Sequence, residues 1–324
     1  MKRIISFLCI FTLLICLFSS CTAQETETYP ITVNGTPINS EIFRYYLDEV
    51  WDSQEAQGSK DGRITQATYK CIRYVAVNST FAAYSLSLSD AEKAELSAET
   101  NVLWNMFGEY YKSIGVSKET YHKVRTSQEY IEKLRIHFFD NGGTDEISDG
   151  VLRGIMVDNF TAFRYVRTLV MNTDVYGNTV DYTEEERTKL NTLYSNAVNT
   201  VAASYTVEKA YNEISAAFPL TEQSYENIVI SRNDHEFSSV FYDKVNSMED
   251  NTASVFQYND YVYLVFKVNM LTDGLIFSEL RSECLKIVSE EPLQSKINMM
   301  CNAYQSVRDT SVVREDFERV AKNR

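Results

Sequence analysis

The residues with chemical potential in this chain are few and widely separated. Its histidines, His122, His137 and His235, show no HxxxH or HxH spacing. Because zinc-type sites draw on closely spaced His and Cys ligands, this distribution predicts no metal site. There is also no GxSxG motif, and no histidine has a local Ser or Asp partner, so a Ser-His-Asp hydrolase is not indicated. Nothing in these residues predicts a cofactor.

The densest acidic cluster has a structural explanation. Glu184, Glu185 and Glu186 directly follow Thr183. Successive helical residues do not face one another, so three adjacent glutamates cannot converge on one ligand. Thr183 and Glu186 instead have the spacing of a capping box, and acidic side chains suit a helix N-terminus. We therefore interpret this run as the start of a helix.

The cysteines predict no disulfide framework. Two of the six lie in the apolar N-terminal run, and a third, Cys21, ends it. An odd number with no close spacing remains, and we expect buried thiols, although one pair could still form a bridge. The three in the body of the chain are Cys71, Cys284 and Cys301.

The N-terminus has the layout of a secretory signal. Lys2 and Arg3 precede the apolar run 4–18, which is shorter than the ~20 residues of a membrane span. Small residues then lead into Cys21, an ending that resembles the lipobox of bacterial lipoproteins, in which the cysteine is lipidated. We expect residues 1–20 to be a signal peptide, Cys21 to carry lipid, and residues 21–29 to form a tether. A signal peptide cleaved near Ala23, or a short anchor helix, remains open, and all three alternatives place the folded part outside the cytoplasm.

Charge excludes two classes of partner. Without residues 1–20 the chain has 29 Lys and Arg against 45 Asp and Glu, a net charge of −16. Nucleic-acid binding requires a basic surface, so no nucleic-acid partner is expected. Electrostatic binding to anionic lipid is equally disfavoured, which leaves membrane attachment to Cys21.

The sequence of the first half of the chain predicts one strand followed by helices. Ile31 and Val33 alternate with polar residues, Asn34-Gly35 is a turn signal, and Asn39 or Ser40 can cap a helix. Residues 64–140 carry helical signals throughout. These include a Ser89–Glu92 capping box, a C-terminal Gly115, and a restart at Ser117. A short helix over 149–157 follows.

The second half mixes strands and helices. Alternation from Phe163 predicts a strand, and Ile228–Ile230 a short one. Segments 254–256 and 261–268 form a hairpin around Asn259-Asp260. Helices are predicted between these strands, after Thr183, over about 207–217, and over about 237–245. The chain is helical again from Phe277, with a break or kink at Pro292, and Val312-Val313 suggests a last strand.

Three segments together resemble the SurA/PrsA class of extracytoplasmic foldases. ITVNGTPINSEIFRYYL resembles the opening of the N-terminal chaperone domain. NFTAFRYVRTLVM resembles the start of the parvulin-type prolyl isomerase domain, and FYDKVNSMEDNTASVFQYNDYVYLVFKV resembles its end. The resemblance implies an α+β fold in which a mostly helical, SurA-N/trigger-factor-like domain (30–158) is completed by the C-terminal helix (275–324). A small parvulin-like α/β domain (160–273) is inserted into it. The implied partners are unfolded or nascent secreted polypeptides.

The same resemblance implies a degenerate isomerase. Laid on the family pattern, Thr168 occupies the position of the first active-site histidine, and Tyr263, or alternatively Val262, occupies that of the second. No cysteine lies between Phe160 and Met270, and no glycine between Asn178 and Asp273, where the family has a Gly-rich loop. We therefore expect prolyl isomerase activity that is weak or lost, and we assign no catalytic residues.

Two other function classes stay open. A solute- or peptide-binding lipoprotein usually has alternating strands and helices with more glycine, whereas residues 38–157 are almost continuously helical. A purely structural surface protein is the third possibility. Several aromatic residues could line a peptide-binding cradle, and we expect most of them to be core and a minority exposed. They are Trp51, Trp104, Phe107, Tyr110 and Tyr111.

Overall fold

A computed structural model describes residues 28–324 except 57, 174, 175 and 177. The lipidation position, Cys21, and most of the tether lie outside the described residues. The chain divides into two compact units. The helical unit comprises the described residues up to Leu134 together with Gln294–Arg324, and the sheet unit comprises Arg135–Leu293. The fold class is α+β.

The helical unit begins with the predicted strand, turn and capped helix, and a second strand, which was not predicted, lies between the turn and the helix. Strands β1 (Ile31–Val33) and β2 (Thr36–Ile38) pair antiparallel. Asn34 and Gly35 join them with φ values of 45° and 81°, the left-handed conformation that a tight two-residue turn requires. Helix α1 (Ser40–Glu49) follows, and the Asn39 side chain caps it by accepting a hydrogen bond from the backbone N–H of Ile42 at 2.9 Å.

Three long helices succeed α1 after a 3₁₀ turn at Gln54–Ala56. They are α2 (Lys60–Ala83), α3 (Asp90–Ser113) and α4 (Lys118–Phe139). The Ser89–Glu92 capping box at the start of α3 is confirmed. Gly115 has φ +78°, as predicted for the residue that ends this helix, and the Ser117 hydroxyl accepts from the backbone N–H of Thr120 at the start of α4.

The C-terminal segment completes the helical unit. Strand β9 (Ser306–Arg308) pairs antiparallel with β1, so β1 lies between β2 and β9. Helix α10 (Thr310–Asn323) adds Val313 and Val320 to a core built otherwise from β1, β2 and helices α1 to α4. The prediction of a strand at Val312-Val313 is therefore wrong, because these valines belong to a helix whose apolar side faces that core.

The sheet unit is built on four antiparallel strands. Helix α5 (Asp149–Asn159) leads into β3 (Phe160–Leu169), and a small pair, β4 (Met171–Thr173) and β5 (Thr179–Asp181), comes next. The remaining elements are α6 (Glu184–Ser204), α7 (Glu208–Ser215), β6 (Thr221–Ser231), α8 (Ser239–Asn246), β7 (Ala253–Tyr258) and β8 (Tyr261–Val268). The strand order is β6-β3-β8-β7. The capping box at Thr183 and the β7–β8 hairpin are confirmed, whereas β6 is longer than predicted.

Helix α9 (Gly274–Asn302) runs without interruption through Pro292. The alternative of a break at Pro292 is therefore wrong. Among the described residues, no helix combines the length and the apolar character that crossing a membrane requires.

Candidate functional site

The candidate site of the sheet unit lies on the central strands β3 and β8. Their register places Arg167 opposite Tyr263 and Thr168 opposite Val262. On the other side of β3, Arg167 pairs with Glu222 of β6. Because successive side chains of a strand point to opposite faces, Arg167, Tyr263 and Glu222 form one row on one face, and Thr168 points to the other. The structure thus does not bring Thr168 and Tyr263 together, whereas the alternative second position, Val262, lies directly opposite Thr168.

Thr168 belongs to a buried hydroxyl network. Its Oγ1 lies 2.8 Å from the hydroxyl of Tyr194 on α6 and 2.8 Å from Oγ1 of Thr221. Thr221 donates to the carbonyl oxygen of Phe218 at 2.6 Å. Since each hydroxyl has one proton, Thr168 donates to Thr221 and accepts from Tyr194. Burial raises the pKa of Tyr194, which keeps it a donor. Thr168 is fully buried, so this arrangement is structural.

Arg167 occupies the position that faces Tyr263. Its Nε and Nη2 contact one carboxylate oxygen of Glu222 at 2.7 and 2.6 Å, and its Nη1 donates to the Tyr263 hydroxyl at 3.1 Å. The guanidinium carbon lies 4.7 Å from the ring centre of Tyr261 and 5.4 Å from that of Tyr165. The cation is therefore held by one carboxylate and surrounded by electron-rich ring faces.

Neither member of this pair can transfer a proton near neutral pH. Burial lowers the pKa of Arg167, but hydrogen bonds to Tyr263 and Glu222 outweigh it, and the net shift is upward. Burial also raises the pKa of Tyr263, with Arg167 opposing. Arg167 thus remains charged and Tyr263 protonated. The two residues can donate hydrogen bonds to a carbonyl, but neither of them can act as a general base.

Aromatic side chains fill the same face of the sheet. Phe241 of α8 lies 5.2 Å from the Tyr263 ring and 5.3 Å from the Phe163 ring, measured between centroids. Phe237 packs 4.7 Å from Phe241. Tyr263 itself is 2% exposed, so this ring is part of the core.

The His, Cys and acidic residues considered in the sequence analysis do not form a further site among the described residues. Within the described residues, no group of three or more His, Cys, Asp or Glu side chains could hold a metal ion. Cys71, Cys284 and Cys301 are free and buried. Burial raises the pKa of Cys71 most strongly, and it also raises those of Cys284 and Cys301. All three are therefore thiols with low nucleophilicity.

The helical unit carries an exposed apolar stripe on α3. Val102, Met106, Phe107 and Tyr110 are 59%, 67%, 47% and 36% exposed. Steps of three or four residues relate Val102 to Met106, and both Met106 and Phe107 to Tyr110, so all four lie along one side of the helix. We call these four residues the α3 stripe.

Other aromatic residues of the predicted cradle pack inward. Trp51 stacks on Phe317 at 5.2 Å between ring centroids, and Trp104 stacks near Tyr111 at 6.2 Å. The sequence suggested that only a minority of such residues would be exposed, and Phe107 and Tyr110 are the exposed ones.

Comparisons with known proteins give structural neighbours only. No protein-family model and no curated protein matches the chain. The foldase protein PrsA from Streptococcus pneumoniae matches with 10% identity over 86% of this chain and 88% of that one, with a TM-score of 0.32. PrsA from Lactococcus lactis matches with 11% identity over 91% and 99%, with a TM-score of 0.36. PrsA from Bacillus subtilis matches with 10% identity over 85% of each chain, with a TM-score of 0.24.

The chain is thus similar to solved foldase structures over most of its length. At identities of 10–11% and TM-scores of 0.24–0.36, this similarity does not decide what the chain does.

Proposed function

We propose that this protein is an extracytoplasmic chaperone of the foldase class, anchored to the membrane through lipid on Cys21, with weak or no prolyl isomerase activity. The α3 stripe carries the chaperone proposal. A soluble domain seldom leaves four large apolar side chains in a row on one helix, and such surfaces commonly mark binding sites for other polypeptides. The organisation proposed from the sequence, a helical domain over 30–158 with 275–324 and an inserted domain over 160–273, agrees with this function.

The net charge of −16 favours a chaperone that binds weakly and releases its clients. An apolar stripe supplies attraction for any exposed hydrophobic segment, while the acidic surface keeps the protein itself soluble. Unfolded or newly secreted polypeptides are the clients that match these properties.

Weak isomerase activity is proposed from the contacts of Arg167. Its guanidinium is already bonded to Glu222 and Tyr263. These contacts engage three of its five N–H groups and hold it in place, so only the remaining two could donate to a twisted prolyl amide. The residue that faces Arg167 is a protonated tyrosine, Tyr263, and not a titratable imidazole.

The chaperone activity is tested by light scattering of an aggregating unfolded protein. We expect the wild type to suppress aggregation and the double variant Met106→Ser, Phe107→Ser to lose most of this effect. Val307→Ser is the matched control, since Val307 is 72% exposed in the same unit but lies outside the stripe. Circular dichroism checks that each variant is folded. If both variants suppress aggregation as well as the wild type, the stripe is not the client site. If the wild type itself is inactive, the solute- or peptide-binding lipoprotein becomes the better proposal.

A proline-limited refolding assay tests the isomerase part. We expect refolding to be almost as slow as without the protein, since uncatalysed prolyl isomerisation takes roughly tens of seconds. Turnover that Arg167→Ala abolishes would show instead that Arg167 is catalytic.

Membrane attachment is tested with radiolabelled palmitate. Wild type should incorporate label and sediment with membranes, whereas Cys21→Ala should do neither. Equal membrane retention without label in both would contradict the lipid anchor.

A further inference from the structure

The helical unit contains a cleft of about 340 Å³ that is separate from the α3 stripe. Residues of α1, α2 and α4 and the single side chain of Gln294 line it. A volume of this size lies at the lower end of the range for small-molecule sites. We call it the Arg73 cleft.

The charges in the cleft do not balance. Lys70 forms an ion pair with Glu49 at 2.5 Å, so these two neutralise each other. Arg73 contacts only a neutral partner, with Nη1 donating to the side-chain oxygen of Gln294 at 2.7 Å. Across the described part of the chain, Arg73 forms no ion pair. This is notable in a chain with 45 acidic side chains, since an arginine has five donors and favours a carboxylate.

The remaining walls suit a small ligand with an apolar part. Tyr46, Tyr74 and Val77 line the cleft, and the first and the last of these are buried. Burial raises the pKa values of Tyr46 and Tyr74, so both hydroxyls are neutral and do not repel an anion. The buried Ser127 hydroxyl accepts from Asn78 at 2.9 Å, which leaves its own proton to donate.

We propose that the Arg73 cleft binds a carboxylate carried on a short apolar stem, with Arg73 as its ion-pair partner. A cation is disfavoured because the cleft has two positive groups and one negative group. The carboxylate can be the C-terminal carboxylate of a peptide or an acidic side chain, and both present the same group to the guanidinium. The proposal does not depend on the chaperone function, which is measured separately by aggregation.

The test is isothermal calorimetry on the full mature chain with three small probes. They are acetylated alanyl-phenylalanine with a free carboxylate, the same dipeptide as its amide, and acetylated glutamate amide. We expect at least one carboxylate probe to bind and the uncharged amide not to bind. Binding of the free acid alone identifies the C-terminal carboxylate, and binding of the glutamate probe alone identifies the acidic side chain.

Arg73→Gln should weaken carboxylate binding by about tenfold or more, because a hydrogen bond to a charged group is lost. Lys93→Gln is the charge-matched control, since Lys93 lies outside this cleft and is paired with Asp90 at 3.2 Å. If Arg73→Gln does not fold, Arg73→Lys retains the charge without the two-pronged geometry and should still bind more weakly than the wild type. The proposal is overturned if no probe binds, if acid and amide bind equally, or if Lys93→Gln has the same effect as the Arg73 variant.

Discussion

Replacing Asp316 with alanine should strongly destabilise the helical unit. Asp316 on α10 accepts a hydrogen bond from Nη1 of Arg44 on α1 at 2.9 Å, and their side chains are only 5% and 12% exposed. Nη2 of Arg44 also donates to the carbonyl oxygen of Gly115 at 2.5 Å. Arg44 thus joins α1, α10 and the turn between α3 and α4. Without Asp316 its charge stays buried without a hydrogen-bonded counter-ion, and the Glu41 carboxylate acts on it only through space.

The size of the effect follows from the burial of both groups. Removing one partner of a buried ion pair costs about 3–5 kcal/mol. With a urea dependence of about 2 kcal/mol per M, the unfolding midpoint should fall by ~1.5–2.5 M. Replacing both partners, Arg44→Met with Asp316→Leu, should restore much of the loss. Burial raises the pKa of Asp316 despite the hydrogen bonds from Ser40 and Arg44, so this ion pair does not fully compensate its own desolvation.

Tryptophan fluorescence is the appropriate assay. The chain has two tryptophans, Trp51 and Trp104, and both lie in the helical unit, so the signal reports this unit alone. Glu315→Ala is the control, because it removes an exposed acidic side chain from the same helix and should change the free energy of unfolding by less than about 0.5 kcal/mol. A midpoint for Asp316→Ala within about 0.3 M of the control would refute the reasoning, given the same urea dependence.

Three further predictions concern single residues. Hydrogen bonds from Lys133, and then from the backbone and hydroxyl of the capping serine, lower the pKa of Glu92 to about 2. The stability from Glu92 should therefore be fully present above its unfolded pKa and be lost as pH falls through about 2. NMR titration of the Glu92 carboxyl group should give this pKa in the wild type and a higher pKa in Lys133→Ala. A wild-type pKa of ~4 would contradict the prediction. Gly115→Ala should lower the free energy of unfolding by about 1–2 kcal/mol in the fluorescence assay, because φ is +78°, and an unchanged midpoint would argue against this strain. Thr168→Val should cost about 1–3 kcal/mol by leaving the buried Tyr194 hydroxyl without its acceptor. Calorimetry of the thermal unfolding of the sheet unit measures this cost. An unchanged melting temperature in Thr168→Val would show that the hydroxyl network does not stabilise the unit.

Local sequence determined the ends of many elements. The Asn34-Gly35 turn, the Asn39 cap, the capping boxes at Ser89 and Thr183, and the end of α3 at Gly115 were predictable. Each depends on a side chain and a backbone group within a few residues, or on a glycine that can adopt positive φ. Because the interacting groups are close in sequence, these interactions do not depend on distant contacts, and the sequence pattern is enough to identify them.

The tertiary structure decided which residues face one another. Arg167 and Tyr263 are 96 residues apart, and Arg73 and Gln294 are 221 apart. No local pattern encodes either pairing. On a strand, a shift of one residue moves a side chain to the opposite face, and this separates Arg167 in the candidate site from Thr168 in the buried network.

Tertiary packing also overrode local preference at Val312-Val313. Two adjacent β-branched residues favour a strand, but α10 buries Val313 and Val320 against the core of the helical unit. The sequence thus determined the α+β class, the main helices and strands and many of their caps, because these depend on short-range interactions, whereas it did not predict the short strands β2, β4, β5 and β9. The candidate site, the exposed α3 stripe and the charge of the Arg73 cleft depend on long-range contacts, and only the folded chain defines them.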